Sequence, residues 1–397
     1  MSRSEPLSKS KNCGYSRPLV ALAACLGCGF FGVTMFFWGS MLPTIRESIT
    51  GVDNLPWVLT GGIIAGTAIC GAVMDRYGYK WLLVLSSLAL ACGLSGFIFT
   101  QNLPLLYIST FLIGAGGGVL NSETIAIISD IYDDSKRGSM LSILGGSYCL
   151  GSLLWTIICR LLVYDYTLPM KWSAIVIALF ALLFVFIKFP PAKLSKGEGP
   201  SLLQSIKLLK YNILALVALL LFFQGALEAV SANFSTSYYT FFADGIGLDM
   251  ALTSLIFMTV GMAVGRFTLP LCMKVGGNVL SIYLFLFIAL CGVLLQLFMP
   301  TNSIDAFISM TLIGFGTGAT APVVFNYLGK VFKRYSGAAV SISVIIAQIG
   351  MLIGNYGIGR SGMFRLFPLV MVVLIAAVMA IFPFVVRSSQ TPPSNNL

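Results

Sequence analysis

Two carboxylates, Glu123 and Glu228, lie within long apolar stretches of this chain. A charged group is costly to expose to lipid tails, so such a residue normally faces a cavity or a partner. Glu228 comes four residues after Gln224 and three before Ser231, so a helix would place these polar groups on one face. We expect this stripe to line a water-filled space, where Glu228 binds a ligand or exchanges a proton. The alternative is a buried carboxyl group with a structural role.

Asn121 and Glu123 raise a question of orientation, because they are only two positions apart. In a helix their side chains point roughly 200° apart, so they cannot both line one cavity. Glu123 has the chemistry of a titrating group, but it could instead pair with a cation near the membrane surface. Arg266, in another apolar stretch, could pair with an acid or extend its guanidinium to lipid headgroups.

Other polar and aromatic residues at membrane depth are candidates for contact with a substrate. Trp38 and Tyr148 could stack on a sugar ring while amide side chains bind its hydroxyl groups, although intramembrane aromatic residues also serve packing. The candidate substrate contacts are Thr34, Trp38, Asn121, Tyr148, Gln224, Glu228, Ser231, Thr320, Gln348 and Asn355. The candidates for proton coupling are Glu228 and Glu123.

The chain offers little for metal or cofactor chemistry, because it contains no histidine. Cys25 and Cys28 are spaced as C-x-x-C, but they fall inside an apolar stretch, and we interpret them as packing residues. No nucleophile is accompanied by a base positioned to activate it. We therefore expect no metal site, no cofactor and no enzymatic activity.

Membrane helices must position these residues, because the composition is far more apolar than that of soluble domains. The chain is 57% hydrophobic and 10% charged, with a mean hydropathy of +0.93, whereas soluble domains carry about 25% charged residues. Apolar runs long enough to cross a bilayer recur along its length. The predicted fold is an all-α membrane protein. Its twelve predicted spans are 18–44, 56–74, 80–100, 104–129, 138–163, 170–190, 211–242, 250–273, 278–299, 304–328, 337–359 and 363–386.

The distribution of basic residues predicts the orientation of the chain. If the N-terminus is cytoplasmic, the cytoplasmic segments hold most of the Lys and Arg residues, whereas the opposite loops hold few. The opposite loops contain only Arg46, Arg160, Lys171, Arg360 and Arg365. This asymmetry predicts that both termini are cytoplasmic, and it accounts for the net charge of +10 without nucleic-acid binding. We expect a monomer in the inner or plasma membrane, surrounded by lipid.

The sequence repeats across its two halves. Leu-Ile-Gly-x-Gly-x-Gly begins at Leu112 and again at Leu312, and after it Gly151 aligns with Gly350. Small residues let membrane helices approach closely, so these glycines serve packing or sliding of helices. We predict two pseudo-symmetric six-helix bundles related as parallel repeats. The predicted units are a tail 1–17, a bundle 18–190, a linker 191–210, a bundle 211–386 and a tail 387–397.

After the second predicted span comes GAVMDRYGYK, which carries Gly71, Asp75, Arg76, Gly78 and Lys80. This segment resembles the signature G-x-x-x-D-R-x-G-R-[RK] of the major facilitator superfamily, with a Tyr in place of one basic residue. The resemblance covers essentially the whole chain and implies a gate at the cytoplasmic surface. In that gate Gly78 allows a tight turn, the basic residues face headgroups, and Asp75 meets the positive end of a helix from the second half.

Two segments of the second half are similar to the fucose–galactose–hexose proton symporter branch of that superfamily. One is FFQGALEA, which contains Glu228, and the other is GRFT, whose Arg266 we assign to the cytoplasmic gate. In its fourth span the branch has an acidic residue and then an Asn four positions later. Here Gly117 stands at the acidic position and Asn121 at the Asn position, so the resemblance favours Asn121 as the cavity-lining residue.

The resemblance implies a secondary transporter that moves a small polar metabolite, a sugar or sugar derivative, by proton-coupled alternating access. Glu228 would be its coupling carboxylate. One alternative is a proton-driven exporter of drugs or metabolites with the same fold, which suits the Phe-rich apolar faces and the missing fourth-span acid. A further alternative is a receptor or scaffold that has kept the fold without transport.

Overall fold

A computed structural model describes residues 14–50, 55–162, 167–191, 207–242, 248–298, 302–332, 336–361 and 366–390. Regular structure in these ranges is helical. In chain order the α-helices are α1 (Arg17–Ser48), α2 (Leu55–Tyr77), α3 (Lys80–Phe99), α4 (Leu103–Ile131), α5 (Asp134–Leu161), α6 (Thr167–Phe186), α7 (Asn212–Phe242), α8 (Leu248–Phe298), α9 (Ser303–Thr317), α10 (Thr320–Val331), α11 (Ser336–Ser361) and α12 (Phe367–Gln390). A short 3₁₀ helix at Lys207–Lys210 precedes α7.

Helix α8 runs through two predicted spans, 250–273 and 278–299. It consists of two helical parts that meet at Gly277, the one residue inside it with non-helical backbone angles. The two predicted spans are therefore present as separate helical parts on either side of this residue. The last helix differs from its prediction, because α12 continues to Gln390, past the predicted end at 386.

The predicted span 304–328 lies in one apolar stretch, Ser303–Val331, whose helical hydrogen bonding is interrupted between α9 and α10 although Gly318 and Ala319 keep helical backbone angles. Pro322 has no amide hydrogen to donate to the carbonyl of Gly318, which explains a break about one turn before the proline. Most of the predicted linker 191–210, residues 1–13 of the first tail and residues 391–397 of the last tail lie outside the described residues.

Nine helical stretches of the described residues are long and apolar enough to cross a bilayer. Two shorter apolar stretches, Trp57–Gly71 and Ala338–Gly354, fall in the predicted second and eleventh spans. Large apolar side chains such as Leu85, Leu182 and Phe287 are exposed on the outside of the helices, where lipid would cover them. These features are those of an integral, multi-pass membrane protein.

Helix packing in the first half of the chain recurs in the second. Helix α1 packs against α5 as α7 packs against α11, and α2 packs against α4 as α8 packs against α9. The repeated pairs use equivalent glycines. A Cβ on Gly151 would lie 2.1 Å from the carbonyl oxygen of Gly29, and one on Gly350 would lie 2.0 Å from that of Phe222. Backbones this close leave no room for a side chain.

The repeated Gly-x-Gly-x-Gly segment packs against two neighbouring helices, one on each side. In the first half, a Cβ on Gly114 would lie 2.2 Å from the Leu59 carbonyl oxygen of α2, and one on Gly116 would lie 2.6 Å from the Ser86 carbonyl oxygen of α3. The second copy makes the same two approaches, to Met258 in the part of α8 before Gly277 and to Phe285 in the part after it. The glycines are therefore the contact points of a three-helix unit that occurs in each half.

The two halves also share a turn that only glycine adopts easily. Gly78 between α2 and α3 has a φ of 79°, and Gly277 within α8 has a φ of 71°. These positions are equivalent in the same repeat that aligns Gly151 with Gly350. The tight turn expected at Gly78 is thus present. The second half keeps this glycine, although Lys274, Val275 and Val279 stand at the positions equivalent to the charged residues of the first-half signature.

The halves touch each other at both ends of the helices. We call the side where α1 begins, which carries Lys80 and Lys136, the basic side, and the other the opposite side. On the basic side a Cβ on Gly71 of α2 would lie 2.7 Å from the Ser341 Cβ of α11. On the opposite side the rings of Trp57 on α2 and Tyr356 on α11 meet edge to face, with centroids 5.7 Å apart.

Candidate functional site

A cavity of about 120 Å³ lies between the two halves, at mid-depth. It is lined by α1, α4 and α5 of the first half and by α7, α8, α10 and α11 of the second. Its polar and charged lining residues are Asn121, Tyr148, Gln224, Glu228, Arg266 and Gln348. Five of these six are among the predicted substrate contacts, and the sixth, Arg266, was assigned to the gate.

A chain of three side chains crosses the cavity between the halves. The hydroxyl group of Tyr148 on α5 donates a hydrogen bond of 3.1 Å to Oε1 of Glu228 on α7. The guanidinium carbon of Arg266 on α8 lies 4.9 Å from the centroid of the Tyr148 ring, which is cation–π geometry. One tyrosine of the first half therefore contacts both a carboxyl group and a guanidinium group of the second half.

Arg266 does not extend to the lipid headgroups, which was one of the two expectations for it. Its side chain is 6% exposed, and its Nη1 donates a hydrogen bond of 2.8 Å to the carbonyl oxygen of Gly145 on α5. The backbone carbonyl oxygen of Arg266 also accepts a hydrogen bond from the Ser142 hydroxyl. The glycine at 145 leaves space for the guanidinium. Arg266 is thus a cavity residue that connects α8 to α5.

Two glutamines on neighbouring helices of the second half line the cavity, and each has an unsatisfied acceptor. Nε2 of Gln224 donates a hydrogen bond of 3.1 Å to the carbonyl oxygen of Thr317, where the helix is broken between α9 and α10. Oε1 of Gln224 and Oε1 of Gln348 are buried and accept no hydrogen bond from the described residues. A buried acceptor without a donor costs free energy, so a bound molecule with hydroxyl groups would compensate these two oxygens.

Asn121 and Glu123 take opposite orientations on α4. Asn121 lines the cavity, whereas Glu123 is fully buried away from it, with its carboxyl group near the backbone of Leu83 on α3. Neither carboxylate oxygen of Glu123 has a hydrogen-bond partner among the described residues. The helical geometry that separates the two side chains therefore assigns the cavity to Asn121.

Four of the predicted substrate contacts are absent from the described lining of the cavity. Thr34 donates to the carbonyl oxygen of Phe30 and packs against α4, where a Cβ on Gly117 would lie 2.5 Å from it. Trp38 packs edge to face against Phe37, with ring centroids 5.0 Å apart.

The other two absent contacts lie in the second half. Ser231 donates to the backbone carbonyl oxygen of Glu228, and Thr320 is buried at the start of α10. The side chain of a further predicted contact, Asn355, lies outside the described part of the structure.

Apolar residues supply most of the remaining cavity wall, and the sequence analysis did not select them. They include Phe31 and Met35 on α1, Phe325 on α10 and Met351 on α11. Met35 is seven residues after Cys28, so helical spacing could have placed both on the cavity face of α1. Phe and Met are too common in this chain for their identity alone to select them.

A second, smaller cavity of about 30 Å³ adjoins the Tyr148–Glu228 pair. Tyr148 and Glu228 line both cavities, and the smaller one continues toward the opposite side along Ala232 of α7 and Leu255 of α8. Met35 and Met351 also line both cavities, so the Tyr148–Glu228 hydrogen bond lies in the region that the two spaces share.

The signature on the basic side is only partly described. Gly71 and Gly78 have the close approach and the turn given above, and Lys80 begins α3 with its Nζ 5.8 Å from the Trp81 ring centroid. The side chains of Asp75 and Arg76, which the resemblance places in the gate, lie outside the described part.

The tyrosine that replaces a basic residue of the signature has a partner on α4. The Tyr79 hydroxyl donates a hydrogen bond to Asp130 and ties the start of α3 to the end of α4. No group of three or more metal-ligating side chains occurs among the described residues.

Curated relatives share limited identity with this chain. It is 23% identical over 330 residues to a TsgA homologue of Buchnera aphidicola subsp. Schizaphis graminum, covering 81% of this chain and 82% of that protein. It is 26% identical over 175 residues to a triacylglyceride transporter of Mycolicibacterium hassiacum, covering 43% of this chain. The match spans only about a third of the length of that transporter, 33%.

Solved structures and a family model identify the fold. The E. coli fucose:proton symporter superposes with a TM-score of 0.76 at 16% identity, covering 93% of this chain and 99% of that one. A proton:xylose symporter gives a TM-score of 0.76 at 15% identity, covering 94% of this chain and 97% of that one. The sequence model of the Major Facilitator Superfamily matches residues 20–355, and this chain therefore belongs to that family of membrane transporters.

Proposed function

We propose that this protein is a proton-coupled symporter that takes up a small polar metabolite, a sugar or sugar derivative. The observation that carries the proposal is the position of Glu228, which lines a cavity between the two halves and accepts a hydrogen bond across it. The sugar:proton symporters with the same fold support the substrate class and the coupling ion. The polar lining contributed by Asn121, Gln224 and Gln348 suits hydroxyl groups.

The proposed architecture has twelve spans in two six-helix bundles, 18–190 and 211–386, with both termini in the cytoplasm. The repeated helix contacts and repeated glycines support this division, and the basic side would then face the cytoplasm. Each bundle would move largely as a rigid body, so that the cavity opens to the two sides in turn. We place the protein as a monomer in the inner or plasma membrane.

In this mechanism, Glu228 binds a proton from the side on which the cavity is open. Its neutral form loses most of the attraction for the Tyr148 hydroxyl and for the nearby guanidinium of Arg266. The contact between the halves weakens, and the bundles rock while substrate is bound. Proton release on the other side restores the ionised carboxylate and the hydrogen bond. Glu123 was the second candidate for coupling, and its position against α3 supports Glu228 instead.

The test is uptake into liposomes that contain the purified, full-length protein. For Glu228→Gln we expect no accumulation in response to a proton gradient, while exchange of labelled for unlabelled substrate without a gradient persists. Glu123→Gln is the matched control, because it removes the other intramembrane carboxylate away from the cavity. Gradient-driven accumulation by Glu228→Gln at the wild-type level would refute the coupling role. Loss of accumulation in Glu123→Gln alone would transfer that role to Glu123.

A proton-driven exporter of drugs or metabolites is the second candidate, and the apolar part of the cavity wall favours it. Phe31, Met35, Phe325 and Met351 offer a surface for an amphipathic compound. Cells that produce the protein would then grow better in toxic compounds than cells without it. Cells that gain no resistance but accumulate a labelled metabolite would favour the symporter.

A further inference from the structure

Arg266 is a buried cation that has no carboxylate within ion-pair distance among the described residues. Its Nη1 is hydrogen-bonded to the Gly145 carbonyl oxygen at 2.8 Å, and its guanidinium stacks on Tyr148. Its Nε is buried and has no acceptor in the described part of the chain. A carbonyl group and an aromatic ring stabilise a guanidinium but do not neutralise its charge, so this site retains the capacity to bind an anion.

The charge of the cavity depends on one titratable group. The titratable groups that interact with Arg266 are Cys28 on α1, Tyr148 and Cys149 on α5, and Glu228 on α7. The cavity linings from α4, α10 and α11 contain no charged residue among those described. Glu228 is the only one of these groups that is ordinarily an anion at neutral pH. The site is therefore neutral overall when Glu228 is ionised and carries one positive charge when Glu228 is protonated.

This dependence makes proton binding and anion binding mutually favourable. Once Glu228 is neutral, the guanidinium of Arg266 has no counter-charge among the described residues of the cavity, and an anionic substrate group supplies one. A carboxylate fits best, because its two oxygens match the parallel N–H groups of a guanidinium. When Glu228 is ionised, it competes with the substrate for the same cation. One proton and one monoanion would then bind and leave together.

The rest of the substrate must bring hydrogen-bond donors. Oε1 of Gln224 and Oε1 of Gln348 are acceptors without a donor among the described residues, and both side chains line the same cavity as Arg266. Hydroxyl groups can satisfy both oxygens, whereas a purely apolar acid would leave them buried and unpaired. The two requirements together select a hydroxylated acid.

We propose that Arg266 is the carboxylate anchor of this cavity and that the substrate is a hydroxylated monocarboxylate, such as a sugar acid, which enters with one proton. This inference rests on the proposed function, because it takes the same cavity as the transport site. It adds the charge of the substrate and the stoichiometry of coupling. A monoanion with one proton is electrically neutral, so transport would be driven by the pH gradient and would be insensitive to the membrane potential.

The first experiment compares three acid and neutral pairs as ligands for the purified protein. The pairs are D-glucuronate with D-glucose, D-galacturonate with D-galactose, and D-gluconate with D-glucitol, each assayed by thermal stabilisation. We expect at least one acid to raise Tm by a few degrees while its neutral partner does not. The Arg266→Gln variant should bind that acid at least ~10-fold more weakly than the wild-type protein does. Arg387→Gln, which removes an exposed arginine at the end of α12, should bind it normally.

The second experiment measures uptake by the wild-type protein, and one charge-conserving variant complements the binding assay. Uptake of the best-bound acid into liposomes is measured with a pH gradient while potassium and valinomycin hold the membrane potential at 0 or −100 mV. We expect the same accumulation at both potentials. A neutral sugar carried with one proton would instead accumulate about 50-fold more at −100 mV. Arg266→Lys, which keeps the charge, should still prefer the acid to its neutral partner, although with lower affinity.

The outcomes separate this inference from the proposed function. The inference would be overturned if a neutral compound bound better than its paired acid and its uptake depended on both the proton gradient and the membrane potential. The proposed symporter function would still stand in that case. Failure of all six compounds to stabilise the protein would also overturn the inference. In that case the Glu228→Gln uptake test, made with whatever labelled metabolite the cells accumulate, decides the proposed function by itself. Normal acid binding by Arg266→Gln would remove Arg266 as the anchor.

Discussion

At the scale of single residues, Tyr148 contacts both charged side chains of the cavity across the two halves. It belongs to α5 of the first half, yet its hydroxyl group binds Glu228 and its ring supports Arg266, which are both in the second half. An aromatic hydroxyl is suited to this position, because the hydrogen bond that it donates to an ionised carboxylate weakens when the carboxylate is protonated.

The Tyr148→Phe variant separates these two contacts, because it removes the hydroxyl group and keeps the ring. A hydrogen bond to a charged group contributes about 1.5–3 kcal/mol, so we expect proton-driven uptake to fall at least ~10-fold. Exchange without a gradient should be less affected. Tyr238→Phe is the matched control, because the Tyr238 hydroxyl donates to the Gln296 carbonyl oxygen outside the cavity. Equal uptake by the two variants would show that the Tyr148 hydroxyl has no part in coupling.

The sequence predicted much of this site because lipid restricts where polar side chains can be. Asn121, Tyr148, Gln224, Glu228 and Gln348 were selected as polar or aromatic residues in apolar helices, and all five line the cavity. The same criterion also selected Trp38 and Thr34, which pack on neighbouring helices, because composition does not reveal which side of a helix faces the cavity.

The position of Arg266 in the cavity could not be predicted from the sequence. Its position near the end of a predicted span suggested a surface gate, and only the packing of α8 against α5 places its guanidinium in the cavity. That contact joins residues 121 positions apart in the chain, which no local pattern can indicate.

At the scale of helices, close packing depends on a few glycines whose neighbours are backbone atoms. The Cβ of an alanine at position 114 would lie 2.2 Å from the carbonyl oxygen of Leu59, so α2 and α4 would have to separate. A Cβ on Gly61, which is also in a helix, would have no neighbouring atom within 4 Å, so the same change there adds no contact. Helix propensity favours alanine by up to about 1 kcal/mol at both sites.

Comparing Gly114→Ala with Gly61→Ala therefore isolates the close approach of the two helices. We expect Gly114→Ala to lower Tm by several degrees, because overpacking costs about 1–3 kcal/mol. Gly61→Ala should melt at the wild-type temperature or slightly above it. The measurement is thermal unfolding of the purified protein in detergent, followed by fluorescence. A Gly114→Ala protein as stable as Gly61→Ala would mean that this glycine is not a packing contact.

A substitution at Gly277 measures the cost of an unfavourable backbone conformation separately from any packing effect. Its φ of 71° and ψ of 178° lie in a region that is essentially restricted to glycine, and no atom lies within 4 Å of a Cβ built there. Such strain costs about 1–3 kcal/mol in other residues, so Gly277→Ala should lower Tm although it creates no clash. Gly61→Ala again serves as the control. An unchanged Tm for Gly277→Ala would indicate that the kink can relax at no cost.

Helix positions were predicted well, whereas helix ends were not, and the physical reason is clear at two sites. Apolar length determines where a span lies, because about 20 residues are needed to cross the bilayer. The turn at Gly277 and the interrupted hydrogen bonding before Pro322 depend on backbone geometry that hydropathy does not record.

At the scale of the whole molecule, the cavity lies between contacts that the halves make at both ends. Gly71 meets Ser341 on the basic side, and Trp57 meets Tyr356 on the opposite side. The same two helices, α2 and α11, make both contacts, so alternating access requires these helices to separate at one end while they stay together at the other.

A cross-link across the opposite side should therefore stop transport. The test is the double variant Trp57→Cys/Tyr356→Cys, treated with a short bifunctional thiosulfonate. We expect it to lose at least ~90% of uptake, because the cavity can no longer open to that side. Uptake should recover when a reductant breaks the link. The matched control is Phe257→Cys/Phe307→Cys, whose native rings stack at 4.6 Å within the second half. Cross-linking that pair restrains a contact inside one half and should leave uptake largely intact, and wild-type protein treated with the same reagent accounts for reaction at its native cysteines. Undiminished uptake by a fully cross-linked 57–356 variant would contradict opening on this side and with it the rocking of two halves about a central cavity.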